Sequence, residues 1–207
     1  MPTLLKIDVS PRGDASISRK LSKQFAEQWQ KNHPDGEIVT RDLAKIQIPF
    51  VDLPWITSVF TPPDQHTAEH KAALKISDDF IAELLAADEV LISTPVYNFN
   101  IPAALKAWID HIVRRGLTFA SGPSGFKGLV NGKKVTIIIA SGGNYLAGTP
   151  TEAWNHQTPY LRFILGFIGI TDVTFIEAGG ASEIIMGKIS REDFFAKYTP
   201  KVLAAAL

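Results

Sequence analysis

The run Pro95-Val96-Tyr97-Asn98-Phe99-Asn100-Ile101-Pro102 concentrates residue types that could hold a flat ring with polar edges. Prolines fix the backbone, aromatic side chains offer flat apolar surface, and asparagine both donates and accepts hydrogen bonds. The run follows a short apolar segment, residues 89–93, and precedes a stretch in which Leu105, Trp108, Ile109, Ile112 and Val113 recur at helical spacing. It therefore sits past the carboxyl end of a strand, where open parallel sheets hold their ligands. A loop whose aromatics fill core and whose asparagines cap a helix has the same composition, so taken alone the run leaves both readings open.

A second cluster, Ser10-Pro11-Arg12-Gly13-Asp14-Ala15-Ser16-Ile17-Ser18, ends the first apolar segment and opens the first helical one. A helix amino terminus presents free N–H groups and partial positive charge, and Ser10, Ser16, Ser18 and Arg12 add donors at the same place. Neither GxGxxG nor GxxxxGK[ST] occurs, which argues against a dinucleotide fingerprint and a P-loop. A serine-rich cradle suits a monophosphate, provided that the Asp14 carboxylate points outward. Ser16 or Ser18 acting as a plain N-cap is the competing reading. A third loop, Ala140-Ser141-Gly142-Gly143-Asn144-Tyr145, follows another apolar segment, and its paired glycines let backbone N–H groups approach a ligand closely.

The elements that must position these loops read as (βα)₅. Strands are expected at residues 3–9, 37–40, 89–93, 134–140 and 172–176, separated by helix-period stretches. Ile17, Leu21, Phe25 and Trp29 mark one buried helical stripe, and Ile76, Phe80 and Leu84 another. Further helices are expected at 154–167 and from about 191 to the end. Two connections are too long for simple crossovers. The first, residues 43–66, carries Phe50, Trp55 and Phe60, which fold over a pocket, against a second subunit, or as a satellite cluster on their own domain. The second, residues 116–132, reads as a hairpin or an excursion beside the fourth strand. With the parallel strands ordered 2-1-3-4-5, a flavodoxin-like order, the first and third strands are neighbours at the topological switch point. A phosphate cradle and a flat-ring wall then flank one crevice, which describes FMN.

At 207 residues, one domain spanning the whole chain is the expectation. Lysine plus arginine equals aspartate plus glutamate, 21 each, so composition disfavours nucleic acid and acidic membrane surfaces as partners. The absence of cysteine removes disulfides, thiolate nucleophiles and cysteine metal ligands together. The first residues lack a basic region followed by a long apolar one, and no apolar run reaches spanning length, so a soluble, cytoplasmic protein is expected. The run His66-Thr67-Ala68-Glu69-His70 fits H-x-x-E-H but lacks an obvious third ligand, so it reads as a polar helix start and no metal site is expected. His156, near the third loop, could approach the pocket, though one histidine settles no role.

The stretches PVYNFNIPAALKAWID, GLTF followed by GLVNGKK, ASGG, and TPYLRFILGFIGITDV occur in order over nearly the whole chain. In these the chain resembles the FMN-dependent NADH-azoreductases, a family of flavodoxin-like NAD(P)H quinone reductases. The resemblance implies that Ser10, Ser16, Ile17 and Ser18 hold the ribityl phosphate. It implies that Val96, Tyr97, Asn98 and Phe99 line the isoalloxazine, and that Ala140, Ser141, Gly142 and Gly143 close its other side. It also implies a homodimer with the flavin at the interface, where Phe60 and its neighbours cover the partner's flavin. Asn144 and Tyr145 are candidates for contact with nicotinamide or acceptor, and Phe119 borders the substrate pocket. Ala120 stands where some members carry a tyrosine near the substrate.

By the same resemblance the chain is expected to be an oxidoreductase passing hydride from NADH or NADPH, through flavin N5, to quinones and azo compounds in ping-pong turnover. The flavin carries that chemistry, so no catalytic acid, base or nucleophile is required of the protein. Competing classes are a flavodoxin-type electron carrier and a flavin-binding sensor. Carriers favour charged docking faces, whereas this chain is neutral overall and spends two long aromatic loops on covering something.

Overall fold

The computed structural model describes residues 1–123 and 125–207. The strands are β1 (Thr3–Asp8), β2 (Glu37–Asp42), β3 (Glu89–Pro95), β4 (Phe119–Gly122), β5 (Gly125–Gly128), β6 (Lys134–Ala140) and β7 (Asp172–Ala178). The helices are α1 (Ile17–Asn32), α2 (Leu53–Phe60), α3 (Ala68–Ala86), α4 (Ala103–Ile112), α5 (Gln157–Phe167), α6 (Ser182–Ile185) and α7 (Arg191–Ala205). Five strands form a parallel sheet in the order β2-β1-β3-β6-β7, so the expected 2-1-3-4-5 order is borne out and β1 lies beside β3.

Alternation along each strand sorts the side chains between two cores. Leu5, Ile7, Val9, Val90, Ile92, Ile137 and Ile139 pack with Phe80, Ile81 and Leu84 of α3, Trp108 and Ile112 of α4, and Leu161 and Leu165 of α5. Leu4, Leu91, Ile138 and Ile176 pack on the opposite face with Leu21, Phe25 and Trp29 of α1 and Phe194, Tyr198 and Val202 of α7. Both faces of β3 and β6 are therefore covered, which is why their sequences read as continuous apolar runs.

Departures from the sequence expectation have local causes. The expected fourth helix at 154–167 is shorter, because Asn155 Oδ1 accepts the Thr158 N–H at 3.0 Å and breaks the run before α5. The connection 43–66 contains a helix, α2, started by Asp52 Oδ1 accepting from the Trp55 N–H at 2.9 Å with Pro54 in the first turn. The connection 116–132 holds the antiparallel pair β4–β5, with Phe119 opposite Gly128; residue 124 lies outside the described residues. Gly128 passes so close to the turn after α5 that an added Cβ would lie 2.2 Å from the Gly169 nitrogen, a spacing only glycine permits.

Candidate functional site

The three loops singled out by composition converge at the carboxyl ends of β1, β3 and β6. The convergence is built by backbone pairing: the Val9 N–H donates to Ser93 O at 3.0 Å, and the Val96 N–H to Ala140 O at 2.9 Å. Between the loops lies a groove of about 240 Å³ lined by Ser10, Arg12, Ser16, Ile17, Ser18, Val96, Tyr97, Ala140, Ser141 and Gly142.

At one end of this groove Ser16 caps α1, its Oγ accepting the Arg19 N–H at 3.3 Å and lying 3.2 Å from Ser18 Oγ. The capping reading and the cradle reading thus coexist. The cap takes one N–H of the first turn, so those of Ile17 and Ser18 face outward from the helix start, as an anion requires. Ser10, Ser16 and Ser18 are buried, and their hydroxyls are already oriented within the loop: Ser10 Oγ accepts the Arg12 N–H at 3.3 Å, and those of Ser16 and Ser18 bond to each other. Asp14 lines a different groove, of about 880 Å³ along α1 and the β2 edge, and does not line the candidate site.

Arg19 anchors this end. Its Nε donates to Ser10 O at 2.6 Å, and its two terminal nitrogens fork onto the Asp42 carboxylate at 2.8 and 2.5 Å. Hydrogen bonding from Arg19 holds the Asp42 carboxyl below its ordinary range, with burial opposing, and the same bond raises Arg19. Asp8, buried beneath, accepts from Ser93 Oγ at 2.7 Å and Ser22 Oγ at 3.2 Å and pairs with Lys6.

The middle loop is a tight two-residue turn. Tyr97 and Asn100 exchange both backbone hydrogen bonds at 3.0 Å, and the central residues Asn98 and Phe99 adopt φ of 47° and 67°. Asparagine tolerates that region; phenylalanine costs about 1–2 kcal/mol there. The strain presents the Phe99 ring edge-on to Tyr145, 5.8 Å between centroids, and to Trp154 at 5.6 Å. Phe99 O also accepts the His156 N–H at 3.3 Å, so His156 meets the loop through its backbone. The third wall is fastened from behind, where Ser141 Oγ donates to Gly143 O at 2.8 Å. An added Cβ on Gly142 would meet no atom within 4 Å, so the peptide there faces open space. One on Gly143 would strike the Tyr145 ring at 2.6 Å.

The groove also has a lip that sequence reading missed: Ala181, Ser182, Ile184 and Ile185 in and beside α6, with Arg191 at the start of α7. Ser182 Oγ donates to Gly142 O at 2.7 Å and an Arg191 terminal nitrogen to Ala15 O at 3.3 Å, tying the lip to two of the loops. The pair Gly179-Gly180 just after β7 was the available signal.

Of the expected site residues, Asn144 does not line the groove; its backbone O accepts from Thr151 Oγ1 at 2.6 Å. Phe99, Gly143 and Tyr145 stand beside it. Phe119 lies apart, packed on Phe167 at 4.9 Å and Phe126 at 6.1 Å. Phe60 ends α2, is 78% exposed, and does not border this groove within one chain. The histidines of H-x-x-E-H serve local structure: His70 forms a capping box with Thr67, and His66 Nε2 lies 3.0 Å from Thr61 O. No helix among the described residues is long and apolar enough to cross a membrane.

Comparison with known proteins agrees with this fold. A family model described as flavodoxin-like fold matches residues 2–201. The chain is 50% identical over 206 residues to an FMN-dependent NADH:quinone oxidoreductase 2 from Jannaschia sp., covering 100% of both chains. It is 51% identical over 197 residues to an FMN-dependent NADH:quinone oxidoreductase 2 from Trichormus variabilis, covering 95% of this chain and 94% of that one. The crystal structure of an azoreductase from Bacillus anthracis superposes with a TM-score of 0.89 at 27% identity, covering 100% of this chain and 99% of that one.

Proposed function

The chain belongs to the flavodoxin-like-fold family and groups within it with the FMN-dependent NADH:quinone oxidoreductases, and from that premise we propose that it binds FMN in the three-loop groove and reduces quinones and azo compounds with NADH or NADPH. The observation that carries this reading is the convergence of the buried serine cluster, the Tyr97 end of the strained turn and the Ala140-Ser141-Gly142 wall around one groove. FMN, when bound, supplies hydride chemistry at N5, taking from the nicotinamide and giving to the acceptor in alternation.

The chain's own residues bind, orient and exclude. Ser10, Ser16 and Ser18, with the N–H groups of Ile17 and Ser18, hold the phosphate at the positive end of α1. Val96 and Tyr97 offer apolar surface to one side of the ring, and the backbone of Asn98 and Phe99 meets its polar edge. The peptide groups of Ala140, Ser141, Gly142 and Gly143 would approach from the other side; the Ser141 N–H is spent on Ala178 O at 3.1 Å, so the N–H groups of Gly142 and Gly143 would be the ones to favour negative charge on the ring. Tyr145, braced by Phe99, borders the place where nicotinamide or acceptor stacks, and Asn144 sits beside it.

The groove is smaller than most ligand pockets and open where Tyr97 and Phe99 are 42% and 44% exposed. Phe50, Leu53, Phe60, Phe126 and Phe163 are also strongly exposed. This much aromatic surface suits a homodimer in which a partner's residues, Phe60 among them, close the site. Steady-state kinetics of FMN-loaded protein with NADH and NADPH against menadione and an azo dye tests the reading. Turnover with no added partner protein separates it from an electron carrier. Failure of both nicotinamides to bleach the flavin absorbance would overturn it.

A further inference from the structure

We propose that Arg19 is a positioning residue that shapes the phosphate end of the groove from outside it. The inference rests on the FMN reading above. Arg19 lines the large groove along α1, and not the candidate site, yet it holds both ends of the serine cradle. Its backbone N–H is the one capped by Ser16 Oγ, and its Nε takes the carbonyl of Ser10 at 2.6 Å. That second bond turns the negative end of the Ser10 peptide dipole toward the guanidinium and away from the place a phosphate would occupy. Pro11 follows, so this peptide group has no N–H of its own to anchor it.

Asp42 sets the guanidinium plane by the two-point fork, and its Oδ1 also accepts the Ala44 N–H at 3.1 Å. Asp8 lies 3.5 Å from Arg19 Nη1 and is itself held by serines of α1 and β3. Lys6, Asp8, Arg19 and Asp42 sum to zero formal charge and the Lys45 that pairs with Asp42 at 3.9 Å is exposed to solvent, so the network offers a phosphate little net attraction. What it supplies is the direction of the Ser10 carbonyl and the register of that loop against β1, β2 and α1. A lysine keeps the charge but cannot make a planar fork and a third bond together.

The test titrates FMN and riboflavin, which lacks the phosphate, into flavin-stripped wild type, Arg19→Lys, Arg19→Gln, Asp42→Asn and, as a surface control, Lys23→Gln. Flavin fluorescence is the readout, with circular dichroism as a check of folding. Arg19→Lys, Arg19→Gln and Asp42→Asn are expected to weaken FMN about tenfold or more, as for loss of charge-assisted hydrogen bonds, and to leave riboflavin within about twofold. Lys23→Gln is expected to match wild type for both. Equal weakening of both flavins would show general damage to the fold and overturn the inference. Full FMN affinity in Arg19→Lys with loss in Arg19→Gln would show that charge alone matters, and would overturn it too. Wild type that binds neither flavin would instead overturn the FMN reading and the inference with it, a result read without the variants.

Discussion

The backbone N–H of Val96 donates to the carbonyl of Ala140 at 2.9 Å, one residue past the last pair of the β3–β6 ladder. Two of the three walls of the groove are therefore continuations of adjacent, hydrogen-bonded strands. Their separation at this point is set by the distance between neighbouring strands, about 4.8 Å, and not by loop packing. Substitutions that spare this pairing should alter the lining without changing the width of the site.

Asn98→Val tests the strained turn. A β-branched residue at a φ of 47° is a steric outlier, so the variant is expected to lose about 1–2 kcal/mol in urea unfolding. Its FMN affinity should fall as well, because the turn then opens to relieve the clash. Asn98→Gly should hold stability within about 1 kcal/mol of wild type.

Gly128→Ala and Gly143→Ala should separate fold from site. At Gly128 the new methyl meets the backbone of Ile168 and Gly169, which cannot move without disturbing the turn into β7, so about 2–4 kcal/mol is expected to be lost. At Gly143 it meets the outer end of the Tyr145 ring, which can rotate. Stability there should change by less than about 1 kcal/mol, with the effect falling on the acceptor KM.

Asp42→Asn should reshape the acid limb of stability. The folded Asp42 carboxyl titrates below its unfolded value because Arg19 hydrogen-bonds its charged form. Its contribution is therefore complete above about pH 4 and is lost as pH falls through the lower folded value. The variant should be less stable than wild type at pH 5–7, and the gap should narrow below pH 4. Urea midpoints across that range measure it.

Flavin should stabilise the fold by mass action. Free FMN at 100 times its Kd is expected to add about 2.7 kcal/mol, a rise of roughly 5–10 °C in Tm for a chain of this size. Riboflavin at the same concentration should do less, since the buried serine cluster then lacks its anion. Equal shifts would count against the assignment of the phosphate end.

Phe60→Asp should act on assembly. A carboxylate at this exposed ring is expected to shift the protein toward monomer in light scattering and to lower turnover per flavin, with the unfolding midpoint of the monomer little changed. A variant that stays dimeric with wild-type kinetics would remove Phe60 from the interface.

Much of this molecule could be read before any coordinates. The apolar segments marked the strands, most plainly β3 and β6, because residues buried on both faces leave no room for polar alternation, and 3.6-residue spacing marked the stripes on α1 and α3. The serine cluster, Tyr97–Phe99 and Gly142-Gly143 stood out as loops past strand ends, and the expected strand order, together with the family resemblance, brought them to one crevice. The start of α2, Asp52 followed by Pro54, is present locally as well, but the connection 43–66 reads from its composition as a long aromatic loop without a helix.

Other features exist only in the assembled fold. Arg19 looks like any surface arginine on a helix; its place under Ser10 depends on Asp42, 23 residues away on β2. The lip around Ser182 reaches Gly142 across 40 residues, and Phe119 was drawn to Phe167 and away from the pocket by how the β4–β5 pair lies on α5. Composition and periodicity report what each segment can bury or bond by itself. Which distant segment satisfies it is decided by strand order and packing, and those follow from the sum of long-range contacts and from no single stretch of sequence.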